Sequence, residues 1–288
     1  MRFFYYVHTG HRVGLDRFRR AATIIRALGD VDVTLLTSDY RIAQVARDFG
    51  VKRAVGLDVV RNIPQIAHHG DKIIFDSDEA NPIMFDELTR FFSSFVHIND
   101  DENYEKHPKE ALVNPYLVGD NICNSLAVDD KYFEVHQKTI KQTLFFGDDD
   151  YEEDLLKNID MFETLDLDLQ IGFYFFIGYE NKMQNTFKNM YEFEEYDAVI
   201  QKSEVLVTCS PQAVLESLAG GGRPVFIQRP DYTRAFITLF ERLNIPIIEG
   251  YDKENLSNVL AKVLLHNYHT LERNSLNLTK FLKSSLVL

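Results

Sequence analysis

The sequence predicts an α/β protein made of two Rossmann-like domains that face each other across a cleft. Three observations predict it. Short strands rich in aromatic and β-branched residues alternate with amphipathic helical stripes along most of the chain. The alternation lapses once, between Gly119 and Thr143. Each half opens with a strand that runs into a glycine turn, Phe3-Phe4-Tyr5-Tyr6-Val7 into Gly10 and Thr143-Leu144-Phe145-Phe146 into Gly147. Strands alternating with helical stretches of about 10 to 15 residues favour a doubly wound parallel sheet, with ligands at the carboxyl ends of its strands. The division is expected near residue 140, giving domains of residues 1–140 and 141–288.

The elements follow in order. Arg2-Phe3-Phe4-Tyr5-Tyr6-Val7 reads as a buried strand. The loop His8-Thr9-Gly10-His11-Arg12-Val13-Gly14 comes next. Phe18, Ala21, Ala22, Ile25 and Leu28 then recur at helical spacing until Gly29 ends the helix. A strand is expected over 31–36, a helix over 42–49 stopped by Gly50, and a strand over 51–55. Lys72-Ile73-Ile74-Phe75 is a strand ending in Asp76-Ser77-Asp78-Glu79, followed by a helix from Pro82 to about Phe92. Phe95-Val96-His97-Ile98 is a strand ending in Asn99-Asp100-Asp101. Residues 129–141 read as a polar, helical connector. In the second half, Gly147-Asp148-Asp149-Asp150 leads into a helix reaching Phe162. A strand over 169–177 takes in Phe173-Tyr174-Phe175-Phe176. A helix is expected over 192–202, then the strand Val205-Leu206-Val207, a helix from Ser210 and a strand over 224–227. A helix over 232–243, a short apolar run at 245–248 and helices after Glu254 complete the chain.

Composition bounds the function. With 31 basic and 44 acidic side chains the net charge is −13, which argues against a general nucleic-acid binder, since that needs a basic face to displace counterions from phosphate. An apolar content of 45% excludes wholesale disorder. No apolar run approaches the roughly 20 residues of a membrane helix, and the N-terminal run is too short for a signal sequence. A soluble, cytoplasmic protein is expected. Cys123 and Cys209 are too few for a disulfide framework or a zinc cage and read as buried small residues. Oligomeric state is not legible.

Three constellations could carry chemistry. After the strand that ends at Thr208-Cys209, Ser210 is a good N-cap with Pro211 at the first helical position. Amides of Gln212 and Ala213 at that helix start would favour a phosphate. Glu216, one turn on, could accept hydrogen bonds from both ribose hydroxyls. The same residues also suit an ordinary strand–helix–strand stopped by Gly220-Gly221-Gly222. In the first loop, Gly10 and Gly14 let backbone approach a ligand, and His11 suits general base work near pH 7. Arg12, Arg17, Arg19 and Arg20 oppose the helix dipole, a cost that an anionic ligand would relieve. A solvated basic face compensated by Asp16 is the alternative. Third, strands end in Asp76-Ser77-Asp78, Asp100-Asp101 and Asp148-Asp149-Asp150, and such carboxylates could hold a divalent metal for a GT-A-type transferase.

The segment Thr208-Cys209-Ser210-Pro211-Gln212-Ala213-Val214-Leu215-Glu216-Ser217-Leu218-Ala219, followed by Gly222-Arg223-Pro224-Val225, resembles the donor-nucleotide motif of GT-B glycosyltransferases. Over most of the chain the pattern is similar to the UDP-sugar hydrolase of pseudaminic acid biosynthesis. Ile73-Ile74-Phe75-Asp76, His97-Ile98-Asn99-Asp100-Asp101-Glu102, Asp130-Lys131-Tyr132-Phe133 and Leu144-Phe145-Phe146-Gly147-Asp148-Asp149 resemble its successive motifs in order. The resemblance implies an enzyme acting on a nucleotide-activated sugar, UDP-linked. Ser210 and Gln212 would hold the pyrophosphate, Glu216 the ribose, and Gly147 would allow close approach. Gly10, Gly14, Arg17 and Asp76 would face the sugar, with His11 as the base. No cofactor or metal is implied, because helix dipole and amides can stabilise the departing diphosphate.

Departures shape the reading. The spacing from Glu216 to Pro224 is one residue longer than in the family. Gly14 falls where the family's G-x-G-H-x-x-R loop has its histidine, so His11 would have to replace it. Asp76 is followed by Ser77-Asp78-Glu79 without the family's tyrosine. Glycosyl transfer is therefore the expected activity. The alternatives are hydrolysis of a UDP-sugar, a catalytically degenerate nucleotide-sugar-binding protein, and a metal-dependent GT-A-type transferase using Asp76 and Asp78.

Overall fold

A computed structural model describes residues 1–10, 13–174, 179–230 and 232–287. Among them lie two parallel sheets, of seven and six strands. The chain divides into two compact units. The first holds Met1–Gly10, Arg17–Ala127 and Asn274–Leu288, the second His11–Asp16 and Val128–Arg273. Against the expected division at residue 140, the chain crosses over at residues 127–128, and its C-terminal segment returns to the first unit.

The first unit contains β1 (Phe3–Val7), α1 (Asp16–Leu28), β2 (Val33–Thr37), α2 (Tyr40–Val45), β3 (Ala54–Gly56), α3 (Ile63–Ile66), β4 (Lys72–Asp76), α4 (Pro82–Phe91), β5 (Ser94–Ile98), β6 (Ala111–Val113) and β7 (Ile122–Cys123). The sheet order is β3-β2-β1-β4-β5-β6-β7. All five residues of β1 are buried, because a central parallel strand is covered on both faces, and its sequence is accordingly apolar without alternation. The stripe Phe18, Ala21, Ala22, Ile25 and Leu28 of α1 is buried as expected, and Gly29 ends the helix at φ +70°. Asn81 caps α4 by accepting from Met84 N at 3.0 Å, with Pro82 next in line.

The differences from expectation are local. The helix expected over 42–49 ends at Val45, and the strand expected over 51–55 is Ala54–Gly56. Strands β6 and β7 had no counterpart in the sequence reading. They are three and two residues long, below the length at which apolar periodicity separates a strand from a loop. Their pairing rests on main-chain bonds such as Leu112 N to Asn121 O at 2.9 Å. Residues 129–141 form no α-helix, only a 3-10 turn over Asp130–Phe133 before the next strand.

The second unit contains β8 (Ile140–Phe145), α5 (Asp154–Lys157), β9 (Asp168–Gln170), α6 (Tyr179–Met183), β10 (Met190–Tyr191), α7 (Tyr196–Lys202), β11 (Ser203–Thr208), α8 (Pro211–Ala219), β12 (Arg223–Gln228), α9 (Ile237–Arg242), β13 (Ile247–Glu249) and α10 (Lys253–Leu260). Its order is β10-β9-β8-β11-β12-β13. A last helix, α11 (Ser275–Ser285), packs on β5 and β7 of the first unit. The aromatic strand expected to reach 177 stops at Gln170. Phe173 and Tyr174 lie in a turn, while Phe175 and Phe176 lie outside the described residues. Cys123 and Cys209 are buried free thiols, as expected. No helix among the described residues is long and apolar enough to cross a membrane.

Each strand order contains a reversal point. In the first unit the chain runs from β1 outward to β2 on one side and to β4 on the other. In the second it does the same from β8 to β9 and to β11. The crevice outside the carboxyl ends of such a strand pair is the general ligand position of open α/β sheets.

Candidate functional site

In the second unit, β8 runs into Gly147 and β11 into Ser210, so two residues singled out from sequence flank the reversal point. Gly147 has φ +127°, and a Cβ there would meet no heavy atom within 4 Å. Its backbone, not its surroundings, therefore requires glycine. Gly172 supports that turn from behind, since a Cβ on it would lie 2.2 Å from Gly147 O and 2.7 Å from Asp148 Cα. The acidic run that follows folds back on its own loop. Asp148 Oδ1 accepts from Phe173 N at 3.3 Å, and Asp150 accepts from Asp154 N at 2.8 Å and Leu155 N at 3.1 Å. Arg229, at the end of β12, donates to Asp149 O and to Asp154 Oδ2, each at 3.0 Å.

Accounting for the amides at the start of α8 shows what that helix end can bind. Ser210 N donates to Thr208 Oγ1 at 3.0 Å, and Pro211 has no N–H. Ala213 N, expected to face a ligand, donates instead to Ser210 Oγ at 3.1 Å as the cap bond. Gln212 N and the Ser210 hydroxyl remain, and both point at one carboxylate. Ser210 Oγ donates to Asp16 Oδ1 at 2.6 Å, and Gln212 N donates to Asp16 Oδ2 at 3.3 Å. The helix start thus holds an anion, and that anion belongs to the chain.

Glu216 corrects a further expectation. The residue is 2% exposed. Its Oε2 accepts from the Tyr196 hydroxyl at 2.7 Å, and its Oε1 accepts from Gln212 Nε2 at 2.9 Å. A buried carboxylate is costly unless hydrogen-bonded, and Gln212 one turn earlier on the same face supplies one of the bonds. The carboxylate expected on a ribose is turned into the protein. Its charge adds to burial in pushing the neighbouring Tyr132 phenol well above its ordinary pKa, so that hydroxyl stays protonated.

In the first unit, the carboxyl ends of β1, β4 and β5 carry a dense ionic network. Asp76 is 0% exposed. Its Oδ2 accepts from Tyr5 OH at 3.0 Å and from Arg20 Nε at 2.9 Å, and its Oδ1 accepts from Arg20 Nη2 at 2.6 Å. Arg20 Nη1 also reaches both oxygens of Asp100, at 2.7 and 2.9 Å. Burial pulls the Arg20 guanidinium down, but Asp100 and Asp76 outweigh it and hold the group well above its usual range. Burial, then Asp76, raises the Tyr5 phenol. Asp76 therefore anchors Arg20 and offers no oxygen to a sugar. Arg19 and Arg20 are not part of a solvated face either. Both are buried, and Arg19 sits 5.8 Å over the Phe49 ring.

Arg17 donates to both oxygens of Asp78, at 2.9 and 3.2 Å, and His8 Nδ1 lies 3.1 Å from Asp78 Oδ1. Hydrogen bonds from His8 and then Arg17 hold the Asp78 carboxyl well below the ordinary range. Tyr6 OH donates to Glu79. Two separate parallel sheets, with Asp76 and Asp78 engaged by arginine, remove the GT-A alternative. Gly10 at φ +129° and Gly14 at φ +68° both occupy the left-handed region. His11 and Arg12 lie outside the described residues.

Sequence reasoning missed the contacts of His8 with Asp78 and of Asp16 with the start of α8. Strand order was the absent signal. Once β1 and β4 are neighbours, the residue after β1 and the acids after β4 must meet.

Solved structures share this architecture across nearly the whole chain. The UDP-GlcNAc 2-epimerase of Methanocaldococcus jannaschii, solved with UDP-GlcNAc and UDP, superposes with a TM-score of 0.63 at 12% identity, covering 99% of this chain and 100% of that one. The calicheamicin glycosyltransferase CalG4 gives 0.56 at 10% identity, over 100% and 94%. MurG of Acinetobacter baumannii gives 0.55 at 10% identity, over 100% and 95%. No protein-family model matches the sequence, and no curated protein matches it. The chain is an α/β protein of the GT-B fold.

Proposed function

We propose that this protein is an enzyme acting on a nucleotide-activated sugar, UDP-linked, and that it transfers the glycosyl group to an acceptor. One observation carries the reading. At the reversal point of the second unit, the Ser210 hydroxyl and Gln212 amide already grip a carboxylate, that of Asp16. A diphosphate oxygen has the same hydrogen-bonding character and more charge, and a helix N-terminus favours it. The diphosphate displaces Asp16, and the turn at Gly147 lets backbone come close to it. These donors stabilise the departing UDP, so the reading needs no metal. Glu216 positions Gln212 rather than binding ribose. Gly10, Gly14 and Arg17 serve the sugar and acceptor. The fold supports this reading, as the M. jannaschii epimerase binds UDP and UDP-GlcNAc and CalG4 is a glycosyltransferase.

A second reading, binding without turnover, is favoured by the same Asp16 contact and by the engagement of Glu216. Incubating the purified protein with a panel of nucleotide sugars, with and without candidate acceptors, separates the outcomes. UDP released only with acceptor marks a transferase. UDP and free sugar in water alone mark a hydrolase of the type implied by the pseudaminic acid resemblance, and binding without release marks the second reading. A protein that binds none of the panel overturns the proposal.

Asp16→Ala tests the displacement. Removing a carboxylate from a helix start frees about 0.3–2 kcal/mol of competing interaction, so UDP affinity should rise about 2- to 30-fold by titration calorimetry. An unchanged or weakened affinity shows that Asp16 does not occupy the diphosphate position.

A further inference from the structure

We infer that the outer edge of β3 is a docking site for an extended acidic peptide segment of a partner protein, which adds to the sheet as a further strand. β3 stands first in the order of the seven-stranded sheet, with β2 as its one neighbour there. Arg53 O accepts from Leu35 N at 3.0 Å, and Leu57 N donates to Thr37 O at 2.8 Å, in the register that pairs Val55 with Leu36. Residues 53, 55 and 57 thus turn their main-chain groups to β2. These directions alternate along a strand, so the N–H and C=O of Ala54 and Gly56 point the other way. They make no hydrogen bond among the described residues. Such an edge is a template for another extended chain.

The side chains around this edge select an acidic one. A groove of about 500 Å³ lies beside the strand, lined by Ala43, Ala46, Ala54 and Val55 and by the exposed Arg47 and Lys52. Neither cation makes an ion pair or a side-chain hydrogen bond among the described residues. Arg53, also on the groove, meets Asp32 at 2.7 Å on the surface. Residues 41–53 hold four cations and one acid, Asp48, in a chain whose net charge is −13. The exposed Tyr40 ring is fixed against the same strand. A Cβ on Gly56 would lie 2.4 Å from Tyr40 Cδ1, and the Tyr40 hydroxyl donates to Asp58 Oδ1 at 3.1 Å. Alternate residues of an added strand share one face, so carboxylates at every second position meet Arg47 and Lys52 together. A second copy of this chain does not fit, since two-fold pairing through β3 would set two basic segments side by side.

The test titrates the full chain into a fluorescent seven-residue peptide of alternating Glu and Val and follows its anisotropy. The same peptide with Lys in place of Glu is the control. The acidic peptide should bind at least about tenfold tighter than the control and weaken as sodium chloride rises from about 0.05 to 0.5 M. Arg47→Glu combined with Lys52→Glu should lower its affinity about tenfold or more, because like charges then face each other. Ala54→Pro removes an outward N–H that β2 does not use, so the protein should melt as wild type does while peptide affinity falls about tenfold. Plain electrostatic adhesion would not respond to that proline. If Ala54→Pro fails to fold, amide exchange in the wild type decides, and the peptide should slow exchange at Ala54 and Gly56 about tenfold or more. The assignment is overturned by absent binding, by equal binding of both peptides, or by full affinity in the charge-reversed or proline variant. Unprotected amides at Ala54 and Gly56 overturn it too, as does binding of phosphatidylserine vesicles by a protein that ignores the peptide.

Discussion

Arg20→Ala is expected to lower the melting temperature of the first unit by about 6–20 °C. The guanidinium joins two carboxylates, with Asp76 completely buried and Asp100 nearly so. Its own side chain is 10% exposed, so solvent screens little of the interaction. Removing one partner of a buried ion pair leaves uncompensated charge and costs about 3–5 kcal/mol. In domains of this size each kcal/mol moves the melting temperature by roughly 2–4 °C. Two acids would be stranded here, and Tyr5 could satisfy only one oxygen of Asp76. Arg20→Lys should fall between the two proteins, because an ammonium restores charge but not the fork that spans Asp76 and Asp100. Thermal unfolding followed by circular dichroism reads the effect. A variant melting within about 2 °C of wild type would mean that the network adds less than 1 kcal/mol.

Gly172→Ala carries the second large effect, in the other unit. Its φ is ordinary, so the penalty is purely steric. The added methyl would sit 2.2 Å from Gly147 O and within 3.0 Å of two backbone atoms of Asp148. Backbone cannot swing aside like the end of a flexible side chain, so the turn after β8 must shift by about an ångström. Overpacking of this kind costs about 1–3 kcal/mol. The same shift carries the Gly147 turn out of position, so on the proposed function UDP affinity should fall by about tenfold, or about 1.4 kcal/mol. Calorimetric titration beside a melting curve measures both. Wild-type affinity in a destabilised Gly172→Ala protein would separate the turn from nucleotide binding.

Much of the architecture was legible because it rests on local periodicity. The buried run at β1, the stripe of α1 and the Ser210-Pro211 start of α8 need only short-range sterics and burial to be read. The losses came where local signal is weakest. Strands β6 and β7 are stabilised by pairing with neighbours distant in sequence, and their two or three residues have no period of their own. The turn at Phe173-Tyr174 has strand-like composition, yet its Tyr174 amide donates to Asp148 O at 2.8 Å instead of to a strand. The Ser210 cap and the left-handed Gly10, Gly14 and Gly147 were recognisable, since capping and left-handed backbone leave residue-type signatures.

The amino-acid sequence alone determined that this is a two-part parallel α/β protein, and which turns its strands feed. Only the tertiary structure decided which charges meet. It assigned Asp76 and Asp100 to Arg20, turned Glu216 toward Tyr196 and Gln212, seated Asp16 on the start of α8, and set His8 against Asp78. The physical reason is range. Caps and amphipathic stripes are settled within a few residues of chain, whereas a carboxylate takes as partner whichever donor the strand order brings within about 3 Å, however far away in sequence.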